Sequence, residues 1–263
     1  MPLHCVELLI ARNQRCIFLD TGSSYSPFMG KRLQNLGVQY FNLSSDNLYD
    51  FFQSEESTLI ISASNMLIFP KEWVVLPHIT IFNYHNSLLP RHKGVNAEAW
   101  TIYEGDRTAG VTWHKVEKSI DSGRILAQKE FLLPHDITAG QLLKKQASEA
   151  LTLLEKNVDS VVSGTYSLKE QMFSMESLHK KSERPNNGEL SIDWDSDKIW
   201  RFLRAYDYGI SRNLGTPAVR IGGKLYAWSK YKKACRQPGR QDFFPEAIQI
   251  KDIILQNLYP ISD

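Results

Sequence analysis

The chain has 263 residues, 42% hydrophobic and 23% charged, with 31 Lys+Arg against 29 Asp+Glu for a formal charge of +2. Such a composition describes a globular protein with room for one large domain or a main domain and a small appendage, and the balanced charge argues against a dedicated nucleic-acid or membrane surface. No apolar run approaches the roughly 20 residues of a membrane-spanning helix. Cys5, Cys16 and Cys235 show no Cys-x-x-Cys pairing and the amino terminus lacks a secretory signal pattern, so a reducing, cytoplasmic setting without disulfides is expected.

Pro2 to Arg12 carries Leu3, Val6, Leu9 and Ile10 at helical spacing, with Pro where its missing N–H costs nothing. A strand is expected over Cys16–Leu19, a helix over Pro27–Leu36 ending at Gly37, a strand over Val38–Leu43 and a helix over Asn47–Ser54. Thr58–Ser62 and Ile79–Tyr84 read as buried strands, and Ala97–Tyr103 as a helix stopped at Gly105. Strands alternating with helices imply parallel pairing, so this half predicts an α/β, doubly wound, mostly parallel sheet. Val111–Val116 and Arg124–Phe131 follow without an intervening helix and read as an antiparallel pair, before a long helix from Ala139 to about Ser160. A doubly wound sheet normally opens on a strand, whereas this chain opens on a helix; a missing first strand, with some loss of stability, is the expectation.

Residues 1–177 are thus expected to form the main domain, 178–190 a polar linker and 191–263 a small C-terminal α+β subdomain. The last part shows a helix over Asp197–Tyr206, a hairpin over Ala218–Trp228 turning at Gly222-Gly223, and further strand within Ala247–Leu258.

The passage Ile79 to Gly94 is the richest in chemistry. Residues two apart on a strand face one side, so Asn83 and His85 project together at the strand's carboxyl end, where open α/β sheets place their ligand crevice. Pro90 and Gly94 then bracket a polar, basic loop. A second polar passage, Val116 to Gly123, offers Asp121 on a tight turn. An amide donor, an imidazole and a carboxylate suit acyl transfer: the amide steadies an oxyanion, the imidazole moves a proton, and the carboxylate supports it. From these residues alone a structural Asn-x-His pair is the more common reading. Neither a phosphate-binding Gly-rich loop nor a Gly-x-Ser-x-Gly elbow is present. His85, His92 and His114 lack a metal-binding spacing, so no metal is expected; His114 is read as packing or hydrogen-bonding beside the site.

The run from Asn83 through Asn86, Leu88 and Pro90 to Gly94 resembles the signature of the 10-formyltetrahydrofolate-dependent formyltransferases. So do Gly110 to His114 and Asp121-Ser122-Gly123-Arg124-Ile125-Leu126. The resemblance implies a Rossmann-like formyltransferase fold, with Asn83, His85 and Asp121 at the catalytic positions. It implies a folate pocket formed largely by backbone around Met66, Leu67 and Ile68, with Leu88, Pro90 and Ser122 also against the co-substrate. The reaction implied is transfer of the formyl group of 10-formyltetrahydrofolate to a primary amine. In it Asn83 and a protonated His85 steady the oxyanion while Asp121 helps remove the amine proton.

The short tail departs from members that act on initiator tRNA. Arg204 to Gly209 and Asn213 to Pro217 look similar to formyltransferases of peptide assembly, and Asn86 is met among amino-sugar formyltransferases. The acceptor stays open between a nucleotide-linked amino sugar, a free or carrier-tethered amino acid and a hydroxylated ornithine. No nucleic acid or membrane partner is expected; a homodimer is the one protein assembly foreseen. Two alternatives remain: a formyltetrahydrofolate hydrolase, and an inactive remnant that binds folate or a partner.

Overall fold

The computed structural model describes residues 1–20, 27–42, 57–65, 67–172, 176–211, 213–234 and 247–262. The helix expected over Asn47–Ser54 lies outside the described residues. In chain order the elements are α1 (Pro2–Ile10), β1 (Ile17–Asp20), α2 (Pro27–Asn35), β2 (Gln39–Asn42), β3 (Thr58–Ser62), α3 (Lys71–Val74), β4 (Ile79–His85) and β5 (Lys93–Gly94). Next come α4 (Ala97–Glu104), β6 (Thr108–Lys115), β7 (Ile125–Leu132), α5 (Ala139–Ser163), β8 (Leu178–His179), β9 (Glu189–Leu190) and α6 (Ser196–Ala205). Six short strands complete the order: β10 (Ala218–Ile221), β11 (Lys224–Ala227), β12 (Lys230–Lys233), β13 (Ala247–Ile250), β14 (Ile253–Gln256) and β15 (Tyr259–Ile261).

Packing divides the chain into two compact units, each discontinuous in sequence. The first comprises Met1–Lys93, Gly110–Glu130 and Lys145–Ser177; the second comprises Gly94–Ala109, Phe131–Lys144 and Leu178–Asp263.

The first unit holds β1 and β2 paired in parallel, and a second sheet in the order β3-β4-β6-β7. β3 and β4 are parallel, with Ser62 opposite Asn83. β4 and β6 are antiparallel, with Asn83 opposite His114 and His85 opposite Thr112. The amide of Lys115 donates to the carbonyl of Arg124, and that of Leu133 to Arg107, so β6 and β7 also run antiparallel. The α/β alternation is therefore as expected, but among the described residues of this unit the parallel strands fall into two sheets instead of one. α1 serves both: Cys5 packs with Phe82, Val111 and Trp113, while Val6 packs with Leu33 and Val38.

β4 and β6 carry few exposed positions because both faces of the central strands are covered. α5 lays Ala150, Leu154 and Val161 onto the same core at helical spacing. The buried Trp113 indole N–H donates 2.8 Å to the Ala150 carbonyl, so this large ring is buried without an orphaned donor.

In the second unit α4 and α6 share a core that includes Ala99, Ile102, Ile199, Phe202 and Leu203. Asp195 caps α6 by accepting from the Lys198 amide at 2.7 Å. β10 and β11 form the expected hairpin, turning through Gly222 and Gly223 at φ 55 and 82, where two left-handed residues match the strand twist. Two sheets result, ordered β15-β11-β10-β9 and β12-β14-β13. No helix among the described residues is long and apolar enough to cross a membrane.

Candidate active site

The site lies in the first unit, at the carboxyl end of β4. The strand's two-residue repeat places Asn83 and His85 on one side, and pairing with β3 and β6 brings Ser62 and His114 beside Asn83. Ser62 Oγ donates 2.7 Å to Asn83 Oδ1, which fixes the amide with its nitrogen turned toward His114. Asn83 Nδ2 stands 3.3 Å from His114 Nε2, while His114 Nδ1 stands 3.0 Å from the Lys115 carbonyl. A carbonyl can only accept, so His114 carries its proton on Nδ1 and receives one Asn83 N–H at Nε2. An amide nitrogen has two hydrogens; the second can serve a substrate oxygen.

His85 Nε2 lies 2.7 Å from the His92 carbonyl and must be the protonated nitrogen of the neutral ring. Its Nδ1 faces Asp121 Oδ2 at 3.5 Å, and Asp121 Oδ1 faces His114 Nε2 at 3.4 Å. The carboxylate thus lies between two imidazole nitrogens, one from each ring.

Burial is the dominant influence on His85 and pushes the imidazole below its usual value; the Asp121 charge and the His92 carbonyl act in the opposite direction. That balance favours the neutral ring over the cation. Removal from water penalises the cation more than one carboxylate at 3.5 Å restores.

Two loops hold these groups, and both are pinned by side chains from elsewhere in the unit. After His85, Ser87 Oγ donates 2.6 Å to the Arg91 carbonyl and Thr112 Oγ1 donates 2.7 Å to the Ser87 carbonyl. Gln128 Nε2 reaches the Leu89 carbonyl at 3.0 Å, and Gln146 Nε2 the Asn86 carbonyl at 2.6 Å. Asp121 sits at φ 47, in the left-handed region that non-glycine residues seldom occupy. Gln171, 3% exposed, donates through Nε2 to the carbonyls of Asp121 and Gly123 at 2.8 and 2.7 Å. A Cβ on Gly123 would come within 1.7 Å of the Lys115 carbonyl, so only glycine lets this loop lie against β6.

The fold therefore joins Asn83, His85 and Asp121. Ser122 follows on the same loop, its hydroxyl donating 2.9 Å to the Ser119 carbonyl. Leu88 and Pro90 lie in the loop after β4; a Cβ at Gly110 would sit 2.2 Å from Leu88 Cδ2, so Leu88 packs on β6 at that point. Leu67 is held by Asn65, whose Oδ1 accepts from the Leu67 amide at 2.9 Å and whose Nδ2 donates to its carbonyl at 3.2 Å. Ile68 is 73% exposed. Met66 lies outside the described residues. Sequence reasoning missed Ser62 and Gln171. Strand register could have found the first, but Gln171 reaches the Asp121 loop from 50 residues away in sequence and leaves no local signal.

The chain matches the sequence profile of the formyl transferase family over residues 31–158. It is an enzyme of the formyl-transferring class. The GDP-perosamine N-formyltransferase of Brucella melitensis is 28% identical over 196 residues, 74% of this chain and 73% of that protein. The methionyl-tRNA formyltransferase of Thermotoga maritima is 27% identical over 190 residues, 71% of this chain and 60% of that protein. Among solved structures, an N-formyltransferase from Helicobacter canadensis in complex with folinic acid and dTDP-3-aminofucose superposes with a TM-score of 0.73. It covers 98% of this chain and 95% of its own at 19% identity, a likeness of fold.

Proposed function

We propose that the protein is an N-formyltransferase that moves the formyl group of 10-formyltetrahydrofolate to the primary amine of a nucleotide-linked amino sugar. The observation that carries the reading is Asp121 placed between His85 Nδ1 and His114 Nε2, next to an Asn83 amide whose orientation Ser62 fixes. Support for the folate donor and sugar acceptor comes from relatives: folinic acid and an amino-sugar nucleotide in the Helicobacter canadensis enzyme, and GDP-perosamine in the name of the Brucella melitensis protein.

In this reading an unprotonated amine attacks the formyl carbon. The carbonyl oxygen gains negative charge and accepts the second Asn83 N–H, a preorganised donor of the oxyanion-hole type. The ammonium formed in the intermediate gives its proton to His85 Nδ1, and Asp121 balances the resulting imidazolium. His85 then returns that proton to N10 of the folate as the carbon–nitrogen bond breaks. The products are a formamide and tetrahydrofolate. The neutral resting ring suits a base better than a charged ring would.

The test is to supply 10-formyltetrahydrofolate with nucleotide-linked amino sugars, following tetrahydrofolate by absorbance and the formamide by mass spectrometry. Formylated sugar dependent on His85 and Asp121 is the expected result. Formate released without any amine, and no formamide with any sugar, would overturn it in favour of hydrolysis.

A further inference from the structure

The carbonyl that meets His85 Nε2 belongs to His92, whose backbone sits at φ 52. A non-glycine residue keeps this left-handed conformation only where surrounding contacts impose it. Ser177 supplies such contacts. The His92 amide donates 2.8 Å to Ser177 Oγ, the Lys93 amide donates 2.8 Å to the Ser177 carbonyl, and the Ser177 amide donates 3.4 Å to the Pro90 carbonyl. Next to these, the Lys93 ammonium, 2% exposed, donates 2.7 Å to Oε1 of Glu176, whose side chain is 46% exposed. A buried ammonium is costly unless it is paired, so Glu176 anchors Lys93 in place. All of these residues lie in the first unit. Gln171, shortly before Glu176 in the chain, holds the Asp121 loop. Two nearby stretches of sequence therefore secure the two members of the His85–Asp121 pair.

We infer that Ser177 and Glu176 are positioning residues for the transfer: by fixing the His92 carbonyl they keep the proton of the neutral His85 ring on Nε2 and leave Nδ1 as the base. The inference rests on the role given to His85 above and deepens it. Two tautomers compete. With its proton on Nε2 the ring donates to the His92 carbonyl at 2.7 Å; with its proton on Nδ1 it would donate to Asp121 across 3.5 Å. An ionised carboxylate is the stronger acceptor, so an unconstrained ring would turn its proton to Asp121. Nδ1 could then take no proton from an amine. In that tautomer the Nε2 lone pair would face the lone pairs of the carbonyl, and the repulsion holds only while the carbonyl cannot retreat. Loosening the backbone at residues 92 and 93 would thus remove the base without altering His85, Asp121 or the substrate.

The tautomer is read without folate or acceptor, from the nitrogen chemical shifts of isotope-labelled histidine at mildly alkaline pH. The His85 signals are those lost in His85→Gln. In the wild type the proton should be on Nε2. Ser177→Ala removes the acceptor of the His92 amide and should move population toward Nδ1; Glu176→Gln takes the countercharge from Lys93 and should do the same. Ser177→Thr keeps the hydroxyl and should keep the wild-type spectrum. With 10-formyltetrahydrofolate and an accepted amino sugar, Ser177→Ala should lower kcat about fivefold to tenfold, the worth of one hydrogen bond, with the KM for folate unchanged. A wild-type ring protonated on Nδ1 would overturn the inference and leave formyl transfer standing. So would a Ser177→Ala ring that stays protonated on Nε2 with full kcat. A wild-type ring protonated on Nε2 that shifts in Ser177→Ala, in a protein that formylates no sugar, would uphold the positioning and overturn the function above instead.

Discussion

Nδ1 of His85 faces Oδ2 of Asp121 across 3.5 Å, while Nε2 of the same ring is committed to the His92 carbonyl at 2.7 Å. The backbone contact decides which nitrogen is protonated, and so leaves the basic nitrogen pointing at the carboxylate. A gap of this width is longer than a strong hydrogen bond, and a proton on Nδ1 would add charge-assisted attraction across it.

The pH dependence follows from the direction of the His85 shift. Burial lowers the folded value below the usual 6.5, so the base stays active below that pH and kcat/KM should fall only at a more acidic apparent pKa. The same shift links to stability: the contribution is complete above about 6.5 and is lost as pH falls through the depressed folded value. Parallel pH profiles of kcat/KM and thermal unfolding check both statements. An acid limb centred above neutrality would contradict the neutral-base assignment.

Asn83→Ala should reduce kcat by roughly a hundredfold to a thousandfold, the usual loss for one oxyanion donor, with folate affinity nearly unchanged. Ser62→Ala keeps the amide but frees its orientation. Since one hydrogen bond contributes about 1 kcal/mol, a loss near fivefold to tenfold is expected. Steady-state kinetics of both variants decide; a larger loss in Ser62→Ala than in Asn83→Ala would reverse the proposed order of roles.

Gln171 is a positioning residue, because among the described residues its side-chain hydrogen bonds go to the carbonyls of Asp121 and Gly123. Gln171→Ala should release Asp121 from its left-handed conformation, cutting kcat by roughly tenfold to a hundredfold while leaving binding of 5-formyltetrahydrofolate within about twofold. The acid limb should also move lower, since a displaced Asp121 no longer supports the His85 cation. Equal losses in kcat and folate affinity, with an unmoved limb, would indicate general unfolding of the loop instead.

Gly123→Ala tests the fit of the loop against β6. The added methyl would meet the Lys115 carbonyl at 1.7 Å, a backbone atom that cannot rotate away. A cost of about 1–3 kcal/mol is expected, lowering Tm by roughly 2–4 °C for each kcal/mol. Differential scanning calorimetry reads this directly, and an unchanged Tm would show that the loop can shift freely.

Local elements were legible wherever one residue pattern carries one element. The apolar run before Asn83, the Pro that opens α1 and the glycine pair at 222–223 each specify their structure through neighbouring residues alone. The division into units was less so, since residues 94–109 and 131–144 join the C-terminal chain by packing rather than by sequence proximity. The distribution of the first unit's described parallel strands over two sheets likewise depends on pairing across the fold.

The sequence by itself determined that Asn83 and His85 share a face, because a strand repeats every two residues, and its motifs named Asp121 as their companion. Only the tertiary structure decided which imidazole nitrogen meets that carboxylate, that burial disfavours the His85 cation, and that Gln171 holds the loop. Those outcomes depend on distances between groups far apart in the chain and on exclusion of water, neither of which a local pattern of residues encodes.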